Sequence, residues 1–383
     1  MMNPFDALRA DDLRNSTSSK WLAYPGEVLP LWVADMDFPP AEAIRAAVTR
    51  HAQEGFLGYA PNNGIPGLKE AVAERLGQRY GLRVTGENIS LLSGTVSGLF
   101  LGVRSLSSVH DEVVVQTPIY PRFLQGIEGQ GRVLTRNSLI HNDRGWQVDF
   151  DALKACITPA TRLLMLCNPH NPSGRVFTLH ELERFAEIAL EHRLWVIADE
   201  LHADLIHEGR HIPFASLGEE IAARTLTLYG PTKAFNIAGL NISFALSHNP
   251  AILERLAQVA DGLGSKPNVL AQVATLAAYR EAGEWLEQAL SYLKANRDCL
   301  SGFLARHLPE IGYSPPEGTY LTLLDFRKTR AAEDPQAFLL EHAGVALEPG
   351  PNFGPEGAGW ARLNFATSRA ILLQALERIR NAL

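Results

Sequence analysis

The chain has 383 residues, of which 46% are hydrophobic and 20% charged, enough for one large core with a smaller companion domain and too apolar for a disordered protein. Its formal charge of −7 and lack of a long basic run exclude nucleic acid as the main partner, because phosphate backbones select clustered Lys and Arg. No uncharged apolar stretch reaches the roughly 20 residues of a membrane helix, and Cys156, Cys167 and Cys299 lie far apart without metal-type spacing, so a reduced, cytoplasmic protein with no membrane partner is expected.

The chain opens Met-Met-Asn-Pro-Phe-Asp, without the basic end and apolar block of a cleaved signal peptide, and runs through turns and prolines to about residue 40. Small residues from Leu92 to Gly98 open a helical pattern. Apolar strands are predicted at Glu112–Gln116, Arg162–Leu166, Trp195–Ala198 and Thr225–Leu228, each apolar enough to be covered on both faces. Leu179–Arg193 repeats apolar residues at helical spacing, with Thr178 placed to cap it. After residue 285 the pattern predicts a helix over Trp285–Leu308, strands at Thr319–Asp325 and Ala361–Phe365, and a helix from Arg369. Strands alternating with helices define an α/β fold, with a mostly parallel central sheet, helices on both faces and a smaller α+β domain. The expected division is 1–45 as the N-terminal segment of the small domain, 46–284 as the large domain and 285–383 as the C-terminal part of the small one.

Four stretches carry candidate chemistry, three of them just after a predicted strand and the fourth at the start of a helical pattern. Asp199 ends the run Val196-Ile197-Ala198, at the sheet edge where α/β proteins bind ligands. A carboxylate there needs a cationic partner, although an N-cap or a structural ion pair would also explain it. Lys233, in Tyr229-Gly230-Pro231-Thr232-Lys233-Ala234, has small and apolar neighbours that ease loss of its charge, which suits a nucleophile toward a carbonyl. Because Asp199 and Lys233 follow two successive strands, they can meet at one edge. Asn168-Pro169-His170-Asn171-Pro172-Ser173-Gly174 is a rigid turn system that could present Asn171 as a neutral donor. Ser93-Gly94-Thr95 at a helix start is a weak anion-site signal.

Together with Leu31-Trp32-Val33-Ala34-Asp35-Met36-Asp37-Phe38, Gly58-Tyr59, Ala198-Asp199-Glu200-Leu201-His202 and Arg362-Leu363-Asn364-Phe365-Ala366, these runs resemble the pyridoxal 5′-phosphate (PLP) enzymes of fold type I, the aminotransferase-like fold, over nearly the whole chain. In detail they resemble the cystathionine β-lyase, or carbon–sulfur lyase, branch of MalY/PatB type. The resemblance implies that the large domain binds PLP and that Lys233 holds it as a Schiff base. Asp199 would pair with the pyridine nitrogen, Asn171 would bind the ring oxygen with His202 close by, and Tyr120 would stack on the ring. Gly94, Thr95 and Thr232 would contact the phosphate. Tyr59 would reach it from a neighbouring subunit, which implies a homodimer. Arg362 would hold the α-carboxylate of an amino-acid substrate, with Arg369 a lower-ranked candidate. Gly230 stands where many relatives have serine, and Asn241 where many aminotransferases have a phosphate-binding arginine; lyases of this branch often lack that arginine. His51, His110, His192 and His211 are expected at the surface or in loops, and Asp35 and Asp37 are equally well read as structural.

The expected activity is β-elimination from L-cystathionine or another cysteine S-conjugate to a thiol, pyruvate and ammonia. An aminotransferase using the same residues is the alternative. A regulatory protein retaining the fold is a third reading, disfavoured because no basic helix-turn-helix segment is present.

Overall fold

The computed structural model describes residues 4–262 and 266–383. Seven strands form the central sheet: β1 (Ile89–Leu92), β2 (Glu112–Thr117), β3 (Val133–Ser138), β4 (Thr161–Cys167), β5 (Trp195–Asp199), β6 (Thr225–Tyr229) and β7 (Ser243–Leu246). Their spatial order is β1-β7-β6-β5-β4-β2-β3. β3, β2, β4, β5 and β6 run parallel, and β7 is antiparallel to both its neighbours. The four predicted strands are the middle four of this sheet, each slightly longer than expected; the edge strands β1 and β3 and the antiparallel β7 were not anticipated.

Side chains alternate across the central strands. Val113, Val115, Leu163, Met165, Ile197 and Leu226 pack in one layer, while Val114, Leu164, Leu166, Val196 and Ala198 pack in the other. Helices α1 (Glu42–Glu54), α2 (Thr95–Leu106), α3 (Pro121–Glu128), α4 (Leu179–Glu191) and α5 (Val269–Glu281) belong to this body. Leu99 and Val103 of α2 cover the first layer, and Leu182, Phe185 and Ala189 of α4 the second. Thr178 caps α4, accepting from the Glu181 N–H at 3.2 Å, while the Glu181 carboxylate accepts from the Thr178 N–H at 2.8 Å. The helix stops at Glu191 rather than Arg193, because Arg193 takes a left-handed φ of 54°.

The second body is an antiparallel sheet of β8 (Gly312–Tyr313), β9 (Leu321–Asp325), β10 (Glu348–Pro349) and β11 (Trp360–Asn364), in the order β8-β9-β11-β10. Helices α6 (Gly283–His307) and α7 (Arg369–Ala382) pack on it. β9 begins two residues later than predicted because Thr319 has a left-handed φ of 65°. One core joins the two chain ends: Phe5, Trp21, Leu29, Leu31 and Phe38 pack with Leu293, Leu300, Tyr320, Leu363 and Leu372. Helix α1, in contrast, sets Ile44 against Ala274 and Ala278 of α5. No helix among the described residues is long and apolar enough to cross a membrane.

Where β10 turns back toward β11, Gly350 is pressed on the chain: a Cβ there would run into the carbonyl oxygens of Gly357 and Trp360. Gly302 in α6 has nothing within 4 Å of such an atom. Gly350→Ala should therefore cost about 3 kcal/mol of stability in urea unfolding. Gly302→Ala should raise stability by about 0.5–1 kcal/mol, the helical preference of alanine.

Candidate active site

The site lies at the C-terminal edge of the parallel strands. β5 ends on Asp199, 7% exposed, whose Oδ1 accepts from the Leu201 N–H at 3.1 Å. No cation forms an ion pair with it among the described residues. Burial pushes its pKa up to about 7; the Leu201 N–H opposes the shift, Glu200 adds to it and Lys233 opposes it. In the adjacent strand β6, Leu228 lies opposite Asp199, so the loop that follows brings Lys233 to the same edge. The Lys233 ammonium donates to the Ala34 carbonyl at 2.6 Å. Burial lowers its pKa, Asp35 opposes, Arg362 adds to the fall and Asp199 opposes.

β4 leads into the turn that carries Asn171. Arg362, in the middle of β11 and 4% exposed, donates through Nη1 to Asn171 Oδ1 at 3.1 Å and through Nη2 to the Trp32 carbonyl at 2.7 Å. With Asn171 Oδ1 engaged, its NH2 is the part left to donate. The Nε of Arg362 is buried with no partner, and the guanidinium lies 5.0 Å from the centre of the Phe353 ring. Tyr120 precedes α3, and its N–H donates to the Asn171 carbonyl at 3.1 Å. His202 is buried and neutral: burial, with Lys233 and Arg362 nearby, pushes its pKa down to about 3, and its Nδ1 has no partner.

At the other end, α2 starts at Thr95 after Gly94, whose φ of 99° favours glycine. The Thr95 hydroxyl is buried with no hydrogen-bond partner among the described residues, at the N-terminus of a 12-residue helix whose first N–H groups have no partner within the helix. The Asn241 Oδ1 lies 3.8 Å from where a Gly94 Cβ would be. Gly230 has a structural reason: a Cβ there would come within 3.1 Å of Ser243 Cα on β7.

Gly94, Thr95, Tyr120, Asn171, Asp199, His202, Thr232, Lys233 and Arg362 all line one cavity of about 670 Å³. Tyr59 does not; it is 108% exposed, in a separate depression with Leu57 and Pro267. Arg369 is also outside, with its Nε bonded to Asn296 Oδ1 at 2.8 Å. Asp37 is structural, in a buried 3.0 Å pair with Lys20. His211 corrects the expectation of a surface residue: it is 4% exposed, its Nε2 lies 3.0 Å from Glu200 Oε2, and that buried carboxylate explains why a ring is held there. Sequence reasoning also missed cavity residues, namely Trp32 to Ala34, Arg122, Gln125, Glu348, Asn352 and Phe353. The run beginning at Leu31 pointed to the first three. The others lie on short elements without a motif.

The strand-end lysine and aspartate, the helix-start anion site and the buried arginine fork define the PLP-enzyme class of aminotransferase-like fold. The family model described as aminotransferase class I and II matches residues 27–379, and the chain belongs to that family. Over 364 residues, 93% of each chain, it is 37% identical to cystathionine beta-lyase PatB of Bacillus subtilis. Among solved structures it resembles OvoB, at 38% identity and a TM-score of 0.92 over 97% of both chains. It also resembles cystalysin from Treponema denticola, a structure containing pyridoxal 5′-phosphate, at 30% identity and a TM-score of 0.93 over 100% of this chain and 99% of that one.

The raised pKa of Asp199 carries a sign. A carboxyl held near pH 7 in the fold and near 4 when unfolded adds stability at low pH that is lost as pH rises through about 7. In cofactor-free protein, Asp199→Asn should therefore be more stabilising, relative to wild type, near pH 8 than near pH 5, as read from urea midpoints.

Proposed function

We propose that this protein is a PLP-dependent carbon–sulfur β-lyase that cleaves L-cystathionine or related cysteine S-conjugates to a thiol, pyruvate and ammonia. The observation that carries the reading is the facing of Lys233, weakened as a base by burial, and Asp199, a buried acid with no cation, in a chain whose relatives include a cystathionine beta-lyase. The cavity fits the cofactor. Asp199 lacks the cation that a protonated pyridine nitrogen would supply, and the unpartnered Thr95 hydroxyl at a helix N-terminus suits a phosphate. When bound there, PLP supplies an electron sink for negative charge developing at a substrate Cα.

The chain's own groups then have distinct tasks. Lys233 would hold the cofactor covalently and would take the Cα proton of the substrate, a task that its lowered pKa favours. Asp199 would keep the pyridine nitrogen protonated. The Asn171 NH2 would donate to the ring oxygen with neutral His202 nearby, and Tyr120 would cover the ring. Gly94, Thr95 and Thr232 would hold the phosphate, with Asn241 in place of an arginine. Arg362 offers its fork to the α-carboxylate. A thiol leaves readily because its pKa is only about 8.5.

Exposed Tyr59 beside Phe56 and Leu57, also exposed, supports a homodimer in which Tyr59 reaches the phosphate of the partner subunit. The core shared by the chain ends supports a small domain made of 1–45 and 285–383 around a large domain of 46–284, although α1 packs with the large body, so the first boundary belongs nearer residue 41. Three free cysteines fit a cytoplasmic setting. The second reading, amino transfer to a keto acid, uses the same groups and differs in where Lys233 returns its proton.

With L-cystathionine as sole substrate, the purified protein should release pyruvate in a coupled dehydrogenase assay. No pyruvate, with amino transfer on adding a keto acid, would reject the lyase. Lys233→Ala should lose both the near-visible absorbance of the bound cofactor and turnover, by about 10³-fold or more. Arg362→Gln should raise KM at least about tenfold, as expected from loss of a bidentate charged contact.

A further inference from the structure

Two charged residues at the cavity wall have no task in the chemistry above. Arg122 lies in the first turn of α3, two residues after Tyr120, and Glu348 lies on β10, directly opposite Arg362 of β11. Both line the cavity. Neither takes part in an ion pair among the described residues. Each is instead bonded to a neutral amide that also lines the cavity: Arg122 Nη1 donates to Gln125 Oε1 at 2.7 Å, and Asn352 Nδ2 donates to Glu348 Oε1 at 2.8 Å. A neutral amide orients a charged side chain without cancelling its charge. The wall thus presents one positive and one negative group: exposed Arg122 just after the residue assigned to the ring face, and half-buried Glu348 on the strand paired with that of the residue assigned to the α-carboxylate.

We propose that Arg122 and Glu348 form a distal subsite for the leaving half of the substrate, and that this half is itself a zwitterionic amino acid. The inference rests on the lyase reading and narrows its substrate class. A leaving thiol with its own carboxylate and ammonium satisfies both charges; a simple alkyl thiol satisfies neither. Arg362 is taken by the α-carboxylate of the reacting half, so the second carboxylate falls to Arg122 and the second ammonium to Glu348. The same placement disfavours short dicarboxylic amino acids, whose second carboxylate would meet Glu348 beside Arg362.

The test holds the reacting half constant and varies the leaving group: L-cystathionine (zwitterionic), S-(2-carboxyethyl)-L-cysteine (anionic), S-(2-aminoethyl)-L-cysteine (cationic) and S-ethyl-L-cysteine (uncharged). The holoenzyme, Arg122→Gln and Glu348→Gln are compared by kcat/KM for pyruvate release, each value divided by that for S-ethyl-L-cysteine, which cancels any general effect on Arg362 or on folding. Wild type should favour L-cystathionine over the ethyl conjugate by about tenfold or more. Arg122→Gln should lower the cystathionine and carboxyethyl ratios about tenfold and spare the aminoethyl ratio, whereas Glu348→Gln should lower the cystathionine and aminoethyl ratios and spare the carboxyethyl one. A wild type indifferent to the leaving group, or variants that change every ratio by less than twofold, overturns the subsite. Absence of pyruvate from all four conjugates sinks the lyase reading instead; their relative Kd values, from titration of the cofactor absorbance, then decide the subsite by the same ratios.

Discussion

A carboxyl group lies buried at the end of a parallel strand, with one backbone N–H bonded to it and no ion-paired cation among the described residues. Most of the site follows from that arrangement. The low dielectric that makes Asp199 a reluctant anion also makes Lys233, at the end of the next strand, a reluctant cation. They form no direct ion pair among the described residues, although each opposes part of the other's shift. A ligand with a cationic ring nitrogen at one end and an electrophilic carbon at the other would relieve both. The helix N-terminus at Thr95 and the Arg362 fork would then suit the two anions proposed above, a phosphate and a substrate carboxylate.

Trp32, Val33 and Ala34 line this cavity, and the N-terminal segment over residues 32–38 is held from several sides. Arg362 binds the Trp32 carbonyl, and Lys233 binds that of Ala34. Asn364 Nδ2 donates to the carbonyls of Val33 and Asp35, each at 2.7 Å. Asn236, just past Lys233, donates to Met36 and Phe38 at 3.0 and 2.7 Å and accepts from the Met36 N–H at 3.1 Å. Beneath it the fully buried Lys20 pairs with Asp37. Backbone carbonyls that would otherwise be left unpaired are thus satisfied by side chains from β11 and from the lysine loop. The small sheet, the lysine loop and the N-terminus meet along one strip of chain.

Two departures from the pattern of relatives acquire physical reasons. Gly230, just past β6, lies close enough to Ser243 of the antiparallel β7 that a side chain there would be tight, with Ser243 having to give by a few tenths of an ångström. Asn241 reaches the Gly94 end of the cavity with a neutral amide, so an anion there leans on helix N–H groups and on the hydroxyls of Thr95 and Thr232.

The central strands were legible because residues buried on both faces leave unbroken apolar runs, as Val113–Val115 and Leu163–Leu166 do. The edge strand β3 was not, because Val133 on one face and Arg136 on the other are exposed, and β1 and β7 are too short to show a period. Lys233, Asp199, Asn171 and Arg362 could be picked out from local motifs and a family resemblance. Arg122 and Glu348 could not, since an isolated charge on a short helix or a two-residue strand has no sequence signature. The sequence by itself determined which segments are buried and which reactive side chains stand just after them, because hydrophobic period and turn chemistry are local properties. Only the tertiary structure decided which of those side chains share a cavity, which charges go unpaired and how far each pKa moves, because distance, burial and partner choice come from elements far apart in the chain.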